Sequence, residues 1–492
     1  MISSQKNYTA HIIIVGISAI LLSSLALVLG PKKSLVIVTG LFVTFFIFKD
    51  PRIGLALTLI AILNFAAMGK FTAGAAGIFM SFAKILGALT AAAWLFHHLT
   101  QRKKLVFTRL MWFGLGFVGI SLLSVLVAMD TKWALIDVSK LFVNYTLLFL
   151  LVNLISTSKQ LKSFVLLLIL TGFISSGAAI VQVKFPAFQM SGPESMIKFG
   201  HSEGGITDSQ ELKAGHFVRP TGTMGHPNWL SCFLITLLPL TLYGIKSPDF
   251  KKFKYFCVIV LVCQLTALMM THDRTAFLGV MVVVALSLWF RLIPITPLLI
   301  VSFCLALFIA PFIVPATYLE RVLSINTFKK SESISQRWEL LVAGLDMFSH
   351  NPITGVGIGN YGIVLMKSYP NTGAARTVEW LRNNEDSNIR DHDQAAHNMY
   401  VEVASESGIF GVTICLMFIL GAAKNMYQLH RRGGLQELKE LPVALMISIL
   451  AFSFVGLILH AQTQKIWWIV IGLSIVLSQI AQKQFKLTAE KE

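Results

Sequence analysis

Apolar runs long enough to cross a lipid bilayer recur from one end of this chain to the other, and they leave few folds open to it. A span needs about 20 mainly apolar residues, and inside lipid each backbone N–H and C=O must be satisfied by protein, which favours helices. The candidate runs are 11–30, 34–48, 53–68, 76–97, 110–128, 137–154, 163–183, 229–244, 255–271, 275–290, 297–314, 407–425, 443–461 and 465–480. The second, third and last are short, so the expectation is 12 to 14 spans. Composition agrees. Charged residues make up 13% and mean hydropathy is +0.71, whereas soluble domains carry about 25% charged residues. The fold class is therefore all-α: a polytopic transmembrane helix bundle, read as a single integral membrane domain over residues 1–492. The first run follows one lysine and has no small-residue cleavage site, so it reads as a retained anchor.

The net charge of +17 does not point to nucleic acid, because the basic residues sit in short clusters between apolar runs. Arg102-Lys103-Lys104, Lys251-Lys252-Phe253-Lys254 and His430-Arg431-Arg432 are such clusters. They act as orientation signals, and they attract anionic lipid or a phosphorylated substrate. With both termini inside, all three clusters fall in the cytoplasm, and two long polar segments, 184–228 and 315–406, face outward. Five cysteines lie inside apolar runs without CxxC spacing, which implies neither a disulfide framework nor a thiolate metal site.

The second extracytoplasmic loop carries helical signals. Ser333-Ile334-Ser335-Gln336 fits a capping box, and Trp338, Leu341, Leu345 and Phe348 recur at helical spacing. Asn351-Pro352 and Gly355 end the pattern. An amphipathic helix on the membrane or capping the bundle is expected there. Residues 371–396 read as polar loop.

Four outer positions carry candidate chemistry. Arg219 opens the stretch Arg219-Pro220-Thr221-Gly222-Thr223-Met224-Gly225-His226-Pro227-Asn228. Arg274 sits in the tight turn His272-Asp273-Arg274, Arg337 begins the amphipathic helix, and His397 closes the same loop. Arginine stays charged and grips phosphate with a planar fork. Histidine changes charge near neutral pH and is the first choice for a general base. Plainer roles stand beside these. An arginine at a span boundary snorkels to headgroups, Arg337 could solvate its helix, and His397 could be a packed hydrogen-bond partner. His226-Pro227-Asn228 could simply start a helix. Asp391-His392-Asp393 with His397 could hold a cation, although the spacing fits no metal motif. Lys84 and Lys140 fall within predicted spans; Lys140 is near a span end, and Lys84 is the more interesting because intramembrane charges line cavities. There is no P-loop, and Gly355-Val356-Gly357-Ile358-Gly359 is a weak glycine run, so ATP-driven and sugar-nucleotide chemistry are disfavoured.

The order of these motifs resembles the O-antigen ligase and polysaccharide polymerase superfamily of bacterial inner-membrane proteins. The likeness rests on Arg219-Pro220-Thr221-Gly222-Thr223 with Pro227-Asn228, and on Asp273-Arg274-Thr275-Ala276-Phe277-Leu278-Gly279. It continues in Arg337-Trp338-Glu339-Leu340 with Asn351 to Tyr361, and in His397-Asn398-Met399-Tyr400 running to Glu406-Ser407-Gly408-Ile409-Phe410-Gly411. It covers roughly residues 210–425. The resemblance implies a metal-independent, inverting glycosyl transfer without cofactor, on the periplasmic face of the inner membrane. The donor would be a glycan on undecaprenyl pyrophosphate, and the acceptor a sugar or protein hydroxyl. His397 would be the base, with Arg219 and Arg274 on the pyrophosphate. Arg337, Asn228, Tyr400 and Lys84 complete the candidate substrate-binding set. Lipopolysaccharide ligases, O-antigen and exopolysaccharide polymerases, and protein O-oligosaccharyltransferases share these motifs. The competing readings are a transporter or flippase for lipid-linked glycans or another anionic solute, and a structural partner in polysaccharide export.

Overall fold

Several helices in this chain begin where a side chain satisfies the first backbone N–H groups, which have no partner inside the helix. Asp130 accepts from the N–H groups of Lys132 and Trp133, and Thr157 with Gln160 forms a reciprocal capping box. Asp273 accepts from Thr275, and Asn398 accepts from Tyr400 and Val401. Each cap opens an apolar run. The computed structural model describes residues 31–64, 71–73, 78–80, 82–102, 104–185, 219–293, 332–373, 375–376, 378–379, 394–433 and 435–490. The expected spans 11–30 and 297–314, most of the 184–228 segment and the Asp391-His392-Asp393 cluster lie outside the described residues.

The chain divides into two units. The smaller is made by residues up to Thr58 and by Lys84–Lys104. It contains α1 (Pro31–Lys49), the start of α2 (Pro51–Asn64) and nearly all of α3 (Phe82–Gln101), with Lys84 in the first turn of α3. Gly54 lets α2 approach its neighbours closely, since a Cβ there would run into Thr90 and Ile47. Before α3, β1 (Phe71–Ala73) pairs antiparallel with β2 (Ile78–Met80), so the run expected to be helical from residue 76 starts as a hairpin strand. Phe71, Ile78 and Phe79 favour extended backbone.

The larger unit, Leu59–Ala83 with Leu105–Glu492, holds the rest. Its helices are α4 (Arg109–Ser124), α5 (Thr131–Leu154), α6 (Ser158–Lys184), α7 (Pro227–Lys246), α8 (Lys254–Met270) and α9 (Arg274–Trp289). They are followed by α10 (Glu332–His350), α11 (Tyr361–Ser368), α12 (Met399–Arg431), α13 (Leu441–Val455) and α14 (Lys465–Ala489). Among the described residues, seven helices are long and apolar enough to cross a membrane, and four more are apolar but shorter. The architecture is an all-α polytopic membrane bundle with one short hairpin. α7 is enclosed by α6, α8, α9 and α13, while α12 packs on α4, α13, α14 and α10. Trp467 and Trp468 at the start of α14 are fully buried and lock against Phe418 of α12. Trp112, Leu122, Leu126, Tyr255 and Trp289 are exposed, as side chains facing hydrocarbon or its interface would be.

α10 forms in the stretch that the sequence marks, but it already includes Glu332 and Ser333, so Ser333 does not cap it, and it buries a different stripe. Leu340, Ala343 and Met347 enter a core with Val356, Tyr361, Val364, Leu365 and Ala396, whereas Trp338 and Leu345 are exposed. The reason is close approach. Gly344 lies against Val401 of α12 and Tyr361 of α11, where any larger residue would collide. Small residues bring helix backbones together, and here that gain outweighs burying the larger apolar side chains.

Candidate functional site

Arg219 and His226 are held by a loop that α6 grips from below. Gln182, fully buried on α6, accepts from the N–H groups of Thr221 (3.0 Å) and Gly222 (2.8 Å) and donates to the Gly222 carbonyl (2.8 Å). Thr223 donates from its hydroxyl to Ser175 Oγ or the Leu63 carbonyl. Gly222 has φ +54, and a Cβ there would strike Ser175 and Leu230, so only glycine fits. Arg219 then donates from Nε to the Thr271 carbonyl (2.8 Å) and from Nη2 to Asn228 Oδ1 (3.1 Å). His226 caps α7 by accepting the Asn228 N–H on Nδ1 (3.0 Å). Two sequence-expected residues, Arg219 and Asn228, are thus bonded to each other, and Arg219 also to the turn that precedes Arg274. In that turn His272 has φ +49, Asp273 caps α9, and half-buried Arg274 is its first residue.

His397 also sits on left-handed backbone, with φ +49. For a non-glycine residue this costs about 1–2 kcal/mol and persists only where neighbours enforce it. The neighbours are present on both sides. Glu402 accepts the Ala396 N–H (2.9 Å) just before His397, and Asn398 just after it caps α12. Asn398 also donates to the Leu457 carbonyl (3.0 Å), and the Met399 N–H donates to the Gly456 carbonyl (2.8 Å). Tyr400 donates its hydroxyl to the Ser453 carbonyl (2.9 Å), so it ties α12 to α13.

The glycine run 355–359 fastens this assembly to the bundle. α12 breaks at Gly408 (φ +66, ψ −168), which exposes backbone for pairing. Val356 N–H donates to the Ser405 carbonyl (2.8 Å), Gly357 N–H to the Glu406 carbonyl (3.0 Å), and Ile409 N–H to the Pro352 carbonyl (2.8 Å). The buried Glu406 carboxylate accepts the Tyr361 N–H (3.2 Å). On the far side, Ile358 N–H donates to Ser124 Oγ (3.1 Å), and Asn360 Oδ1 accepts the Asp130 N–H (2.7 Å). Gly355 and Gly357 are required because a Cβ would collide with the Glu406 backbone and with Ala128 respectively.

These segments meet in one cluster. The His226 ring lies 5.6 Å from Trp229, Trp229 lies 6.3 Å from His460, and His460 lies 5.7 Å from His397. Burial holds His226 at a pKa of about 3, assisted by the charges of Arg219 and His460, opposed by Asp273, and pushed further down by Arg337. Burial likewise holds His397 well below the ordinary histidine range, with Arg337, His460 and His226 adding to the effect. Arg219, His226, Arg337 and His397 therefore share one electrostatic environment, although they come from three separate stretches of chain. Lys84 belongs to the smaller unit. Chemically, the cluster offers neutral imidazole beside fixed guanidinium groups, which suits an anionic substrate that reacts with a hydroxyl. Among the described residues, no group of three or more His, Cys, Asp or Glu side chains is arranged to hold a metal ion.

Sequence reasoning missed His460, Gln182, Glu402 and Gln462. His460 and Gln462 did carry a signal: the turn between α13 and α14 is two crossings after His397, and so returns to the same side. Gln182 looked like one polar residue in an apolar helix, and nothing local distinguishes it.

Residues 259–416 match the family described as O-Antigen ligase. The match covers about a third of the chain, from α8 through Arg274, Arg337, the glycine run and His397 into α12, and leaves out Arg219, His226 and His460. No curated protein matches the chain. Over that segment, which carries Arg274, Arg337, the glycine run and His397, the chain is similar to the O-antigen ligase family.

Proposed function

We propose that this protein transfers a glycan from undecaprenyl pyrophosphate to an acceptor hydroxyl at the periplasmic face of a bacterial inner membrane. The observation that carries this reading is the convergence of His397 and Arg337 with the Arg219–His226 loop and the turn before Arg274. In the step envisaged, the acceptor oxygen attacks the anomeric carbon of the donor sugar and the carbon–oxygen bond to pyrophosphate breaks, inverting the centre. His397, neutral at physiological pH, takes the hydroxyl proton. Arg219 and Arg274 stabilise the charge that develops on the departing pyrophosphate, as fixed donors do well in a site poor in water. Arginine suits this role because its fork matches two phosphate oxygens. The charge of Arg337 discourages protonation of His397, which keeps the base available. Cleavage of the sugar–pyrophosphate bond supplies the driving force, so no nucleotide is needed.

The test is reconstituted transfer in lipid vesicles with a lipid-pyrophosphate glycan and candidate sugar or peptide acceptors. Acceptor-dependent release of undecaprenyl pyrophosphate by wild type, lost in His397→Ala and unaffected by chelator, supports the reading. A ladder of products would mark a polymerase, and one added block a ligase. Folded wild type that transports the donor but releases no pyrophosphate would move the assignment to transport.

A further inference from the structure

The buried carboxylate of Glu402 bonds two loops at once, and each loop carries a histidine. One oxygen accepts the N–H of Ala396, next to His397; the other accepts the side-chain amide of Gln462, two residues after His460. Gln462 is itself anchored, since its carbonyl accepts the indole N–H of Trp467 (3.2 Å) or Trp468 (3.4 Å), both fully buried. Met399 and Asn398 add bonds to Gly456 and Leu457. Between these fastenings the two imidazoles meet edge to face, with ring centroids 5.7 Å apart and planes at 79°. The other side of His460 faces Trp229, 6.3 Å away, so the ring is flanked by α7 and the His397 loop.

We propose that His460 is a positioning residue for His397, and that Glu402, through Ala396 and Gln462, sets the pair. This rests on the transfer reading above. The His460 ring packs edge to face on the His397 imidazole and so restricts its rotation. A base left free to rotate spends less time in line with the incoming hydroxyl. The charged and titratable groups that face His397 are Arg337 from α10, His460 from the α13–α14 turn and His226 from the cap of α7, with Arg219 and Asp273 acting on His226. All three groups facing His397 disfavour a proton on it.

The experiment compares wild type with His460→Ala, His460→Phe and Glu402→Gln as full-length protein in vesicles. Two readouts are followed: transfer kinetics, and the pH profile of His397 carbethoxylation by diethyl pyrocarbonate, read by mass spectrometry without substrate. In His460→Ala, kcat is expected to fall about tenfold or more at nearly constant donor KM, the scale of a misplaced reacting group. The His397 profile should move upward, because a group that disfavours its protonation is removed. His460→Phe keeps an aromatic edge and should recover part of kcat while retaining an upward shift. Glu402→Gln should lower kcat in the same sense as His460→Ala. Unchanged kcat and an unchanged profile in His460→Ala would overturn the proposal. So would a loss of kcat with no shift and no recovery by phenylalanine, which marks a merely structural residue. If wild type transfers nothing while His460 still shifts the His397 profile, the transfer reading fails and the pairing stands.

Discussion

Gln182 and Gly222 exchange two hydrogen bonds of 2.8 Å, one in each direction, across forty residues of chain. The amide of one buried side chain thereby substitutes for the backbone pairing that the Thr221–Gly222 turn cannot make with itself. This seat holds the Arg219 loop together with Thr223 on Ser175 and Arg219 on Thr271.

Replacing Gln182 with leucine, which is similar in size, should leave the Thr221 and Gly222 N–H groups and the Gly222 carbonyl buried without that partner. Each unsatisfied group costs about 1–3 kcal/mol. The expected result is a clear drop in the thermal midpoint of the detergent-purified protein, together with reduced transfer. A midpoint equal to wild type would show that the loop is seated by other contacts.

His397→Ala should lose transfer by about 10²–10⁴-fold, the usual contribution of a positioned base, while its level in the membrane stays at that of wild type. Arg274→Lys should also fail, since a point charge does not reproduce the bidentate fork. Turnover assays with quantified membrane protein check both. Normal turnover of either variant removes the role assigned to that residue.

The pH dependence follows from the depressed histidines. A base held below the ordinary range stays neutral, so the acid limb of kcat/KM should lie below about pH 6.5. An acid limb above pH 7 would count against His397 as the base.

Stability should respond to pH with a definite sign. Folded His226 titrates near 3, and unfolded histidine near 6.5. Above 6.5 both states are neutral and the group contributes nothing. Below 6.5 the unfolded chain takes up a proton that the folded one refuses, so stability falls by about 1.4 kcal/mol per pH unit for this group until pH approaches 3. His226→Asn keeps a residue able to cap α7 and should flatten the slope. Unfolding measured between pH 4 and 8 would show no change in slope if His226 is hydrated in the native state.

Gly408→Ala should be far more damaging than an ordinary glycine-to-alanine change. The left-handed backbone alone costs about 1–2 kcal/mol, and the added Cβ would collide with the Ile353 carbonyl. Loss of folded protein, read by size exclusion in detergent, is expected. A folded variant would mean that the break in α12 can be rebuilt.

The apolar runs are local properties, so the all-α membrane bundle was legible from residue order alone, while helix ends were less so: the capping box read at Ser333–Gln336 falls inside α10, which already includes Glu332. His397, Arg219, Arg274 and Arg337 were singled out as candidates because charge and ring nitrogens at the ends of apolar runs stand out against their surroundings; the structure places the charges of Arg219 and Arg337 on His226, and that of Arg337 on His397. The inner face of α10 was not legible. Periodicity favoured Trp338 and Leu345, while contact is won by Gly344, whose importance appears only when α11 and α12 press against it. The run Gly355–Gly359 likewise looks like a weak phosphate loop in one dimension and is a packed joint in three. His460 joins the site only through Glu402 and Gln462, residues that read as unremarkable neighbours of apolar segments. Hydrophobic pattern acts on a chain residue by residue and can be read that way. Hydrogen bonds between distant segments depend on which buried groups find each other after packing, and that is decided by the tertiary structure.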